Sequence, residues 1–426
     1  MHKRDLLKGL AAAAFAPLAA CETADPEKSG PVLSSRAAVF FPGYRTDDAR
    51  LLGEPADSRR RRGVDGPRTM LTRVGADGSV RQAVFPVIGH DVAIAPDGSV
   101  GFLGRMGDGG GDGAAHHVAF DPVTLEMVAT GLTPGPGWRG GGHGVFVPGG
   151  PLLCAERAPM TAYSGSPERH FGRVSVRDRQ SLALLGSFSC HGIDPHEIRL
   201  SEDGRHVVLA NYGSVAGQGQ DDLSVPRRVV APCLTVVEIA TGRLVERIAV
   251  AAPETELRHL ALRPDGTAFG IRCRLAPEGA DAPWLRKLGL DETDRTADPG
   301  ESYLPATPVL ASRGTARTLA AQEPPAHLRH GLSVEYDALH DEFIASFPSS
   351  HRLIVFSGGG EVRHSIDTRD FGLAYPCGVT LMPGETFYAV AGFWRGLRLM
   401  RRGDHRPEHA LATGAAFRGH SHITAA

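Results

Sequence analysis

HDVAIAPDG, residues 90–98, is the stretch that decides the fold. A histidine opens it, apolar residues alternate through Val92 and Ile94, and Pro96-Asp97-Gly98 closes it. Alternation with period two marks a half-buried strand. Asp and Gly tolerate the positive φ of a tight hairpin turn. The same arrangement recurs as HGVFVPGG (143–150), HEIRLSEDG (196–204), RHLALRPDG (258–266), HGLSVEYD (330–337) and CGVTLMPG (377–384), and a shortened copy, GHSHITAA, closes the chain at 419–426. Successive copies of the His or Cys lie 45 to 71 residues apart. A strand-rich repeat near 50 residues signals stacked supersecondary units, and β-propellers are built that way.

Each copy is followed by further apolar runs. Val100–Leu103, Val207–Ala210, Phe269–Arg272, Phe343–Phe347 and Phe387–Ala391 read as second strands, and Leu234–Ile239 before Thr241-Gly242 as a third. The expected fold is therefore all-β: a seven-bladed β-propeller with four strands per blade. The N-terminal runs Ala37–Phe41, Thr69–Val74 and Val80–Val87 lack a first strand, which Ser421–Ala425 can supply. Joining the two ends would close the ring and remove its sheet edges. Residues 275–329, rich in Pro, Ala and charge and containing Trp284, read as an insertion at the surface, a candidate lid. Gly107–Gly113 reads as an enlarged hairpin loop without the Lys-Ser/Thr of a phosphate loop.

The 426 residues carry a net charge of −2, so nothing points to a nucleic-acid partner. The dense basic run Arg59–Arg62 sits among Gly and Pro without aromatics and reads as a solvated loop. Residues 1–20 pair a basic start, Lys3-Arg4, with an apolar stretch from Leu10 to Ala20 that is too short to span a bilayer. That is an export leader. It resembles a twin-arginine signal with Lys3 in the first arginine's place, which leaves the twin-arginine and general routes both open. Leu18-Ala19-Ala20-Cys21 resembles a lipobox, so Cys21 is the expected lipidation site of a periplasmic lipoprotein. Residues 21–34 form the linker and 35–426 the propeller. Five cysteines remain, an odd number, so at least one thiol stays unpaired. Cys154 and Cys273 lie in apolar strand contexts that suit buried small residues.

In a propeller the first strands line the central channel and run the same way. His90, His143, His196, His330 and Cys377 would then converge at one mouth. Imidazole and thiolate are the donors that copper, zinc and iron prefer. Aligned on the Asp-Gly turns, His259 and His422 fall one place late, with Arg258 and Ser421 in the slot. One residue of slip turns a strand side chain to the opposite face. Arg258 favours an anion at that point. Three readings stand: a metal site, an anion or small-ligand site, and histidines that merely hydrogen-bond within a blade. His191, in CHGIDPH (190–196), could reach a ligand from its loop. His116 and His117 could bind metal but suit an exposed strand start, and His405 and His409 suit a solvated charged loop. Gly-x-Ser-x-Gly and HExxH are both absent from the sequence, which removes the support for hydrolase and metalloprotease readings.

Taken together, HDVAIAPDG, GHGVFVPGG, CHGIDPHEIRLSEDGRHVVLANYG, RHLALRPDGTAFGIRC and YPCGVTL resemble the DUF1513 family of exported bacterial propellers, over roughly residues 35–425. The family has no established activity. Its members tend to be encoded beside imelysin-type and dihaem thiol-oxidoreductase-like proteins in iron-responsive clusters. The resemblance therefore implies an accessory role in iron (or copper) uptake, with those proteins as partners. The repeats are also similar to those of lactonase-type propellers. That implies a rival enzyme, lactonase-like or redox, with His196 or His191 as base and Arg258 holding an anion. A third possibility is an interaction platform whose hub histidines are structural.

Overall fold

The strands are apolar on both faces wherever a second neighbour covers them. AVFFPG, Ala38–Gly43, is buried at every position, and so is EFIASF, Glu342–Phe347. Such runs belong to sheets sandwiched between others. The computed structural model describes residues 37–43, 69–87, 89–107, 116–216, 227–250, 254–275, 303–319, 322–384, 386–393, 396–408 and 422–426. The leader, Cys21, the linker, Arg59–Arg62, most of the glycine-rich run, Trp284, His409 and Ser421 lie outside them.

The described chain is all-β, with four short 3-10 turns and no helix long and apolar enough to cross a membrane. Its strands form antiparallel sets in sequence order. The second set is Gly89–Ile94, Gly101–Gly107, His117–Phe120 and Met127–Gly131. The third is Arg139–Phe146, Leu152–Arg157, Phe171–Arg177 and Leu184–Ile193, bridged to the second through Met106 and Gly107. The fourth runs from Pro195–Leu200 to Leu244–Ala249. The sixth runs from Val334–Asp337 to Val362–Asp367. The seventh has three described strands, starting at Pro376–Leu381. The first set is completed from the far end of the chain, because Thr424–Ala425 pairs antiparallel with Val39 and Phe40.

The fifth set corrects the expected insertion. Thr255–Leu262 pairs with Ala268–Leu275, that strand with Val309–Ser312, and Val309–Ser312 with Thr315–Thr318, while Tyr303–Leu304 adds to the end of Ala268–Leu275. Residues expected in a surface loop therefore supply the outer half of a sheet. Their signal is short: Val309 and Ala311 turn inward beside half-buried neighbours, around a two-residue turn at Arg313-Gly314.

Seven apolar layers lie between consecutive sets. Phe40, Leu71, Val92, Leu103 and Phe120 join the first to the second. Phe269, Ile271, Phe343, Ala345 and Phe356 join the fifth to the sixth. Val39, Phe41, Ala389, Leu397 and Leu399 join the seventh to the first. Burial of this kind is worth about 25 cal/mol per Å² of apolar surface, so the layers hold the sets face to face.

Candidate metal centre

The opening strands bring five histidines from five sets together: His90, His143, His196, His259 and His422. Ring centroids are 4.5 Å apart for His143 and His196, 4.8 Å for His90 and His196, 4.8 Å for His196 and His259, and 4.4 Å for His259 and His422. His422 lies 5.0 Å from His90 and 4.7 Å from His143. One nitrogen from each of His90, His143, His196 and His422 falls within 4.8 Å of the others. All five are buried, at 3%, 3%, 0%, 1% and 5% exposed in chain order.

Backbone irregularity aims these rings. Every strand that carries one of the first four has a register shift at the histidine: between Gly89 and Asp91, Gly140 and Gly144, Pro195 and Ile198, and Leu257 and His259. A bulge inserts a residue and turns side chains that a regular pleat would send elsewhere. In the fifth set Arg258 is the extra residue, so His259 reaches the centre. Gly142 lets the rings close in. A Cβ on Gly142, whose φ is +99°, would sit 2.7 Å from His90 Cδ2 and 3.3 Å from His196 Cε1.

The outer nitrogens are held by acceptors. His143 Nδ1 donates to Asp91 Oδ2 at 3.0 Å, and His259 Nδ1 to Glu197 Oε2 at 2.9 Å. His196 Nδ1 donates to the carbonyl of Gly141. An Nδ1 donor leaves the Nε2 lone pair for the interior. His143 Nε2 has no hydrogen-bond partner, and His196 Nε2 lies 3.2 Å from His90 Nε2. Imidazoles fixed through the far nitrogen by carboxylates and carbonyls are the usual outer layer of a metal site. Arg199 in turn holds Glu197 Oε1 at 2.7 Å and Glu335 at 3.3 Å.

The electrostatics separate the rings. Burial, with His143, His259 and His90 alongside, holds the His196 pKa well below its usual value, so that ring is neutral. Burial also pushes His143 down, but Glu197 and Asp91 outweigh it and leave its pKa raised. A neutral His196 with carboxylates behind His143 and His259 suits iron, copper or zinc.

The other expected ligands stand apart. His330 precedes its strand, which begins at Val334, and has a left-handed φ of 59°. It stacks on Tyr303 at 3.9 Å and hydrogen-bonds Tyr375 Oη at 2.8 Å. Cys377 lies in a small apolar cluster with Leu332, Tyr375 and Phe393, its thiol against the carbonyl of Tyr375. His191, left-handed as well, turns to the carbonyl of Gly242 at 3.0 Å and away from the centre. Arg258 is already paired with Glu256 through Nε at 2.9 Å and Nη2 at 2.7 Å.

Two exposure expectations also reverse. His116 and His117 are buried around Glu156, which accepts from both, from Ser175 at 2.8 Å and from Arg177 at 3.0 Å. Burial lowers the His117 pKa to about 3. Four donors converge on that carboxylate and lock two sheets together, and His116, His117 and Glu156 lie close enough to one another to hold a metal. His405 is buried between Tyr388 and Glu342. All five described cysteines are buried.

Residues 89–293 match the DUF1513 family. Its description reads "Protein of unknown function (DUF1513)", and the matched segment carries His90, His143, His196 and His259. No curated protein matches the sequence. Among solved structures, the Pseudomonas aeruginosa periplasmic gluconolactonase PpgL is 17% identical, covering 91% of this chain and 99% of its own at TM-score 0.52. A putative 6-phosphogluconolactonase from Bacteroides fragilis is 13% identical, covering 93% and 99% at TM-score 0.54. At these identities the likeness establishes a β-propeller-like fold and nothing about chemistry.

Proposed function

We propose that this DUF1513 protein is an exported, lipid-anchored accessory of transition-metal uptake, with iron or copper held by His90, His143, His196 and His422 and with His259 beside them. One observation carries the reading. Imidazoles from distant repeats meet in a buried space, and the Nδ1 atoms of His143, His196 and His259 are already engaged by Asp91, Gly141 and Glu197. Packing alone has no use for that arrangement, because buried polar nitrogens facing one another are costly. The metal would supply a Lewis-acid or redox centre; the chain's own residues position it and balance its charge. Seven sets with shared apolar layers, the seventh joined to the first, support a closed seven-bladed ring around this centre. The leader and Cys21 support a periplasmic location, and imelysin-type and dihaem thiol-oxidoreductase-like proteins are the proposed partners.

Metal content tests this directly. Full-length protein dialysed against Fe(II) under nitrogen, or against Cu(II), should retain about one equivalent by mass spectrometry. Joint replacement His143→Ala/His196→Ala should weaken retention by about 100-fold or more. Absence of retained metal in the wild type, or full retention in the double variant with only a lower Tm, would favour structural hub histidines on an interaction platform. A second reading draws on the fold shared with the two lactonase-named structures: a lactonase-like or redox enzyme working at the same centre. Hydrolysis of a sugar lactone that the double replacement removes would establish the first form, and no turnover on lactones would end it.

A further inference from the structure

Arg157 is fully buried, yet only one edge of its guanidinium is used. Nε faces Asp194 Oδ1 at 3.1 Å and the carbonyl of Pro195 at 3.5 Å. Nη1 and Nη2 are buried as well, and no protein acceptor reaches either. Four N–H groups left this way cost far more than one ordinary buried donor. Asp194 also faces Arg139 Nη2 at 3.5 Å, so two guanidinium groups share that carboxylate. The neighbouring Arg258 is paired with Glu256.

The position matters as much as the charge. Arg157 lies over the Tyr212 ring at 4.5 Å, and that ring lies 4.7 Å from the ring of His196. Tyr212 therefore stands between a metal-ligating imidazole and an unspent cationic fork. A small cleft lined by Arg139, Thr161, His170, Asp194 and Ser214 borders the carboxylate that orients Arg157.

We infer that Arg157 is the anchor of a small oxyanion, a carboxylate or a phosphate, bound beside the histidine centre through Nη1 and Nη2. Two parallel N–H donors on one planar group match two oxygens of either anion, which a lysine could not do. The protein would then handle metal together with an anionic companion. This rests on the histidine cluster being the working site, but its test reads the two claims separately.

The test is calorimetric titration of the full chain, with and without bound metal, using sodium acetate and inorganic phosphate in turn. Wild type should show saturable binding of one of them in the millimolar range or tighter. Arg157→Met should weaken it roughly 30-fold, as expected for losing charged hydrogen bonds, and Arg157→Lys by less. Preference for acetate assigns a carboxylate ligand, and preference for phosphate assigns a phosphate. Lack of saturation by either anion at tens of millimolar overturns the inference, and so does unchanged binding in Arg157→Met. Should that variant fail to fold, Arg157→Lys and the wild-type titration decide: binding equal to wild type in Arg157→Lys shows that no fork is used and overturns it. Metal retention is measured on the same samples. Anion binding without metal retention would sink the metal reading and leave this one standing.

Discussion

Single side chains at the centre and at the sheet joints follow opposite rules. Around the five histidines the chain leaves nitrogens facing inward; at some sheet joints it saturates a buried charge. Asp337 is an example of the second kind. It is fully buried and accepts from Arg402 Nε at 2.9 Å, His340 Nδ1 at 2.9 Å and the amide of Leu339 at 2.9 Å. Burial pushes its pKa up, but Arg402 and His340 outweigh it and hold it at about 2, against 3.8 ordinarily. A carboxyl depressed in the folded state stabilises above its unfolded pKa and loses that contribution as pH falls through its folded one. Asp337→Asn should therefore cost about 2 kcal/mol at neutral pH. Denaturant titrations across pH should show the gap between wild type and variant flat down to about pH 4 and closed near pH 2. A gap that persists at pH 2 would assign the effect to packing.

At the scale of the element, the outward limits of the strands and their bulges have different origins. Phe343 illustrates the regular part. It stacks on Phe269 at 4.8 Å and packs against Tyr336 at 4.9 Å, within the layer between the fifth and sixth sets. Phe343→Ala should destabilise the protein by about 3–5 kcal/mol in chemical denaturation, and Phe343→Leu by much less. The apolar run that makes this strand is plain in the sequence, as are the Asp-Gly turns that bound its relatives. The bulges are not, because they depend on pairing with a strand many residues away. Reading His90 and His259 by a strict period of two put His259 on the wrong face, since the extra residue at Arg258 is invisible until Leu257 is seen opposite Arg272 and His259 opposite Ile271. His330 failed for the converse reason. Its repeat looks complete, but the strand starts four residues later, at Val334, and the histidine is left in a turn. His116 and His117 looked exposed because the partner that buries them, Glu156, lies 40 and 39 residues away. Arg157 carried no motif at all; only the spare edge of its fork marks it.

For the whole molecule, the first and last described strands meet. Thr424–Ala425 covers the edge of Ala38–Gly43, Ile423 packs into the layer between the seventh and first sets, and His422 joins the centre. Deleting residues 422–426 removes a strand, a core side chain and a candidate ligand at once. The truncated protein should lose about 3 kcal/mol or more of stability and aggregate through the bared edge. Size-exclusion chromatography and thermal melts would show both effects, and an unaffected monomer would mean that the closing strand is dispensable.

That final histidine also sets a sequence of events. A chain emerging from a ribosome or threading through a membrane pore presents His90, His143, His196 and His259 long before His422. Until the tail docks, the four earlier rings lack the fifth imidazole, so a half-made molecule does not hold a stray ion in its finished geometry. Metallation would then be the closing act of maturation, carried out where folding ends rather than where synthesis begins.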